Sequence, residues 1–164
     1  MARHAFYSFH YVPDNWRAGK VRSMGIIEGN RLLSDNGWEQ VKKSGDSAIQ
    51  NWINSEMEGK SCTIVLVGSH TAGRKWIDYE IRKAWNDKKG VLGIYIHNLT
   101  DRNGDQSVKG ANPFASISLQ DGRHLSLIVK CYDPPQMVSS NVYAHIADNI
   151  EGWVEEAITI RRNT

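Results

Sequence analysis

The chain has 164 residues, 40% of them apolar, and a formal net charge of +2. That is enough apolar material for a proper core, and it excludes a disordered chain. So small a charge gives no electrostatic ground for binding nucleic acid or a membrane.

Residues 5–11 (AFYSFHY) predict a first strand, aromatic-rich and closed by Pro13-Asp14. Asp14 is placed to cap a helix running to about residue 27. Leu32-Leu33 is a short apolar step that suits a brief second strand, and Asp35-Asn36-Gly37 is turn chemistry. Residues 38–57 predict a second helix with Trp38, Val41, Ala48, Ile49, Trp52 and Ile53 as its stripe, weakened by Gly45 and stopped by Gly59. The continuous apolar run 62–68 (CTIVLVG) predicts a third strand buried on both faces of a parallel sheet.

The helix expected next contains RKWIDYEIRKAW, residues 74–85. Its apolar side carries Trp76, Ile77, Ile81, Ala84 and Trp85, and Glu80 falls on that side too. A second buried strand follows at residues 91–97, then a long polar segment, 98–120, containing KGANPF. Long loops of this kind are often functional. Residues 125–132 predict a strand and residues 141–160 a final helix. The chain is expected to form a single domain over residues 3–163.

Two cysteines, Cys62 and Cys131, lie at the ends of strand-like runs, with no C-x-x-C or Cys/His cluster. Buried, reduced thiols of a cytoplasmic protein are expected. No signal-peptide run opens the chain, and no stretch approaches the ~18 apolar residues of a membrane span. Neither a membrane nor nucleic acid is expected as a partner.

Alternation of buried strands with helices predicts an α/β fold of the flavodoxin-like, three-layer kind. Its central, mainly parallel five-stranded sheet would have the order 2-1-3-4-5. In that order ligands bind at the carboxyl ends of strands 1 and 3. Those ends are Phe9-His10-Tyr11 and Gly68-Ser69-His70-Thr71. The helix carrying Glu80 starts directly after the second.

Several motifs fail. Residues 68–75 (GSHTAGRK) resemble a P-loop, but Arg74 and Lys75 stand where Lys and a metal-binding hydroxyl are needed. A helix start with Arg74 and Lys75 beside it can still hold a phosphate or pyrophosphate; a solvated basic turn is the plain alternative. There is no dinucleotide G-x-G-x-x-G after a strand, no G-x-S-x-G elbow, no zinc spacing, and no acidic cluster after strand 1 as in response receivers. His10 and His70 would both lie at the crevice. Two readings of Glu80 stand open. It is either a desolvated carboxylate facing a pocket between Trp76 and Tyr79, or a surface glutamate paired with Lys83 or Arg82.

Together these residues resemble a Toll/interleukin-1 receptor (TIR) domain, and more closely the TIR-like proteins of bacterial Thoeris anti-phage defence. FYSFHY (6–11), WEQVKKSGDSAIQNWIN (38–54), VLVGSHTAGRKWIDYEI (65–81) and KGANPF (109–114) carry the likeness, which extends over nearly the whole chain. The W-x-x-x-E step after the G-S strand end is its most specific part. The resemblance implies an enzyme that cleaves NAD at the nicotinamide–ribose bond with one glutamate, at the position of Glu80. Hydrolysis, cyclisation and conjugation of ADP-ribose all share that first step.

The implied substrate-binding residues are Phe9, His10, Trp38, Ser69 and Trp76. NAD is implied as substrate, with no cofactor and no metal. Also implied are a small-molecule signal, cyclic in kind, that reaches a separate effector protein, and homo-oligomer assembly on activation. The scheme needs Glu80 ionised, hence a pKa no higher than about 7. Two other readings compete: a non-catalytic TIR scaffold acting through protein–protein assembly, and an enzyme exchanging bases on free nucleosides.

Overall fold

Five parallel strands in the order 2-1-3-4-5 build the sheet: β1 (His4–Ser8), β2 (Glu28–Gly29), β3 (Cys62–Val67), β4 (Gly90–Tyr95) and β5 (Cys131–Tyr132). The computed structural model describes residues 3–29 and 41–164. Helices α1 (Tyr11–Arg22) and α4 (Ser139–Arg162) cover one face, and α2 (Asp46–Met57) and α3 (Lys75–Asn86) cover the other. β1 pairs with β3 from Ala5↔Cys62 to Ser8↔Val65, and β3 with β4 from Cys62↔Gly90 to Val67↔Tyr95.

The continuous apolar runs follow from this sandwich. Side chains alternate across a strand, so both faces of β3 need apolar residues. Ile64 and Leu66 pack under α1 and α4, while Val65 and Val67 pack under α2 and α3. The three-layer α/β fold read from the sequence is the fold observed. No helix among the described residues is long and apolar enough to cross a membrane.

Several boundaries differ from expectation. β1 stops at Ser8, and Tyr11 already opens α1. Pro13 fits the first turn, where a backbone N–H has no helical partner to lose. Asp14 does not cap the helix. It is buried inside the first turn and pairs with Arg17, Nη1 to Oδ1 3.2 Å. Gly45 takes a φ of +91°, so residues 41–43 form a separate helical turn before α2. The Leu32-Leu33 step and the Asp35-Gly37 turn lie outside the described residues.

Residues 125–132 do not form one strand. A single 3-10 turn, Leu125–Leu127, precedes a two-residue strand. The run LSLIVKCY has a helical rhythm: Leu125 and Val129 are buried, Leu127 is exposed, and Val129 N–H donates to Leu125 O at 2.9 Å. Both cysteines are free, Cys62 buried and Cys131 half-buried, and burial pushes each thiol up to about 12. Such thiols are unreactive at neutral pH.

Segment 98–124 lies outside the sheet and is held by local backbone hydrogen bonds, with one isolated bridge between Ser118 and His124, and by side chains. Arg17 donates to Leu99 O (2.8 Å) and Asp105 O (2.9 Å), and Lys109 pairs with Asp133 (2.8 Å) while lying 4.5 Å above the Tyr95 ring.

Candidate active site at the carboxyl ends of β1 and β3

The chain leaves β1 and β3 in opposite directions, and a cavity of about 720 Å³ opens between the two strand ends. Its size is typical of small-molecule sites. Phe9 and His10 come from the β1 end, Ser69 from the β3 end, and Trp76 and Glu80 from successive turns of α3. The structure therefore gathers five of the six residues singled out in the sequence around one space. Trp38 lies outside the described residues.

Glu80 is 8% exposed, and its Oε2 has no hydrogen-bond partner. The surface reading, a pair with Lys83 or Arg82, is overturned: Lys83 pairs instead with Asp87 at 2.8 Å. Burial pushes the Glu80 carboxyl up to about 8, and the nearby Ser8 hydroxyl only partly offsets it. Ser8 faces the carboxyl, yet no completed hydrogen bond joins them; both Ser8 Oγ and Glu80 Oε2 stay unpartnered. The expectation of a value no higher than about 7 is not met. No cation among the described residues pairs with it, and burial therefore favours its neutral form.

The remaining walls are aromatic and basic. Trp76 meets Tyr79 edge-to-face at 5.6 Å, and Lys75 Nζ lies 4.9 Å from the Trp76 ring centre. The Phe9 and Tyr11 rings stack at 6.1 Å. His10 Nδ1 is buried without a partner, and the His10 pKa is lowered, first by burial and then by Arg74 and His70. Ser69 Oγ and His70 Nδ1 are 2.9 Å apart. Lys75 pairs with Asp46, whereas exposed Arg74 stands at the mouth.

Close backbone packing fixes the strand ends. Thr71 Oγ1 accepts the Gly68 N–H at 2.8 Å. A Cβ on Gly68 would lie 2.1 Å from Asp14 Oδ2, and one on Gly110 would lie 2.2 Å from Gly68 O. Gly110 is thus what lets the KGANPF loop lie on the β3 end and bring Ala111 to the cavity. Gly110→Ala must push one backbone off another. It is expected to cost about 1–3 kcal/mol in thermal unfolding and to change Trp fluorescence near Trp76. An unchanged melt would show that the loop does not rest there.

Sequence reasoning missed Ser8, Arg17 and Thr71, and gave Asp14 a capping role in place of its buried pairing with Arg17. Ser8 left a readable signal: it shares a face of β1 with Phe6 and is polar where the layer above is apolar. The Asp14–Arg17 pair left another, two opposite charges at i and i+3 beside buried Ala18 and Val21.

Comparison with known proteins bears on the family of the chain. The family model described as "Thoeris protein ThsB, TIR-like domain" matches residues 6–101, from β1 through the end of β4. A Bacillus cereus (strain MSX-D12) protein named "Putative cyclic ADP-D-ribose synthase ThsB1" is 35% identical over 135 residues, 77% of this chain and 70% of the relative. The matched segment contains both strand ends and the Glu80 helix, and with more than half its length accounted for, the chain belongs to the ThsB family of Thoeris TIR-like proteins.

Proposed function

We propose that this protein cleaves NAD at the nicotinamide–ribose bond and converts the ADP-ribose part into a signal, cyclic in kind, that activates a separate anti-phage effector. The observation that carries the reading is Glu80: a buried carboxyl with an unpartnered oxygen, opening into a cavity at the switch point. Leaving it there is destabilising, and a site for the cationic nicotinamide ring of a substrate accounts for it. The name of the B. cereus relative supports the same chemistry.

In this scheme the C1′–N bond breaks and the nitrogen keeps the electron pair. Nicotinamide leaves neutral, so no acid need protonate it. Positive charge moves to the ribose C1′ and ring oxygen, as in glycoside hydrolysis. Glu80 accepts from a ribose hydroxyl and stabilises that charge. Trp76 and Phe9 offer ring faces to the bases. Arg74 and the start of α3 meet the pyrophosphate, and His10 and Ser69 bind ribose or phosphate. Water capturing C1′ gives ADP-ribose and a proton; a nucleophilic atom of the same ADP-ribose capturing C1′ instead closes a cyclic product.

The raised pKa of Glu80 fits this scheme because the nicotinamide ring of the substrate carries a positive charge. A positive ring within about 4–6 Å lowers a carboxyl pKa by about 1–3 units. Only the ionised form acts, so activity rises with pH. kcat/KM for nicotinamide release is expected to climb about tenfold per pH unit and level near pH 8, the value of the free protein. The limb of kcat should lie lower. A flat profile from pH 6 to 8.5 would remove Glu80 from this role.

A scaffold is the second reading, favoured by Val12 and Trp16, 71% and 49% exposed and one turn apart on α1. Mass spectrometry of small molecules from phage-infected cells decides between the two. An ADP-ribose-derived species with the wild type and none with Glu80→Gln supports the enzyme. Protection from phage with no such species in either strain supports the scaffold.

A further inference from the structure

Alternation along β1 turns Phe6 and Ser8 toward α2 and α3, while Ala5 and Tyr7 face α1 and α4. Ser8 is 1% exposed and its hydroxyl has no partner. An unpartnered hydroxyl in an apolar layer is destabilising, and an alanine or valine would serve packing better there. The acceptor that Ser8 faces is Glu80, whose Oε2 is also unpartnered. Two orphaned polar groups therefore meet beneath the cavity, one from the central strand and one from α3.

We propose that Ser8 is a positioning residue whose hydroxyl donates to the ionised Glu80 carboxylate, fixing one oxygen so that the other is presented to the ribose. This rests on the NAD-cleaving reading. A neutral carboxyl has little need of the bond; the carboxylate formed beside a cationic ring does, because charge-assisted hydrogen bonds are the strong ones. Among the described residues, the other ionisable groups around the cavity are His10 and His70 from the strand ends, Tyr11 at the α1 start, Arg74 and Lys75 from the α3 start, and Lys42 before α2. Among the described residues none of these forms an ion pair with Glu80, which leaves Ser8 as the side chain that favours its charge.

The test is the pH profile of nicotinamide release from NAD by the wild type, Ser8→Ala and Ser8→Thr. Losing the hydroxyl should move the acid limb of kcat/KM up by about one pH unit, about a tenfold loss on that limb, with the gap closing above it. Ser8→Thr keeps the hydroxyl and should restore the limb. A loss that is even at all pH values, or a limb that does not move, overturns the proposal. Thermal melts from pH 5 to 9.5 supply a second readout that needs no activity. The pH at which stability stops falling should move up by about one unit in Ser8→Ala, and an unmoved point overturns the proposal. If the wild type releases no nicotinamide, the NAD reading fails by itself, and the melts still decide whether Ser8 supports the Glu80 charge.

Discussion

Glu80→Gln is expected to melt higher than the wild type at neutral pH while releasing no nicotinamide from NAD. The two effects have one cause. Burial holds the folded-state pKa at about 8 against an ordinary 4.5. Between those values the folded protein binds more protons than the unfolded chain, so stability falls as pH rises through that window and is level above it. Each pH unit in the window costs about 1.4 kcal/mol, so the loss at pH 7 is about 3 kcal/mol. Gln is close in shape and never ionises, so its melting temperature should not follow that fall. The gain near pH 7 should be about 5–10 °C.

Catalysis should move the other way. An amide cannot stabilise positive charge at C1′ as a carboxylate does, and the loss should be about 100-fold or more. Melts of both forms from pH 5 to 8.5, with nicotinamide release on the same samples, check both effects. Parallel melts would mean that Glu80 is not the buried titrating carboxyl. Retained activity would mean that its charge is not used.

Arg17→Met is expected to be among the most damaging single changes, costing about 3–5 kcal/mol. Arg17 is 3% exposed and bonds Asp14 Oδ1, Pro13 O, Leu99 O and Asp105 O. Met fills similar space but leaves buried acceptors on two segments without a donor. It also strips Asp14, 1% exposed, of the cation it hydrogen-bonds. Burial raises the Asp14 pKa and Arg17 is the first group that offsets it, so without Arg17 the buried carboxylate loses its main stabilisation. Asp14→Asn together with Arg17→Met should therefore recover part of the loss, because the stranded charge is gone. Chemical denaturation of the two single variants and the double variant measures the coupling. An Arg17→Met form within about 1 kcal/mol of the wild type would show that the clamp on segment 98–105 is not structural.

The fold was legible because it is written in periodicity. Runs such as CTIVLVG have no polar face, which admits few arrangements besides a sheet covered on both sides. The position of Glu80 was legible too, as a charge in the stripe of α3, and the strand order carried it to the crevice. Element ends were less legible. The end of β1 turned on where Tyr11 could start a helix, and residues 125–132 turned on Phe114 and Ile117 from elsewhere in the chain joining their core cluster.

By itself, then, the sequence determined the layers, the strand order and that the helix carrying Glu80 starts at the switch point, because local pattern and connection rules suffice for these. Only the tertiary structure decided that Glu80 is neutral when alone, that Ser8 lies against it, and that Gly110 rests on the β3 end. Each of those is a contact between segments distant in the chain. Desolvation and close approach belong to the packed neighbourhood of a residue, and its sequence neighbours do not specify them.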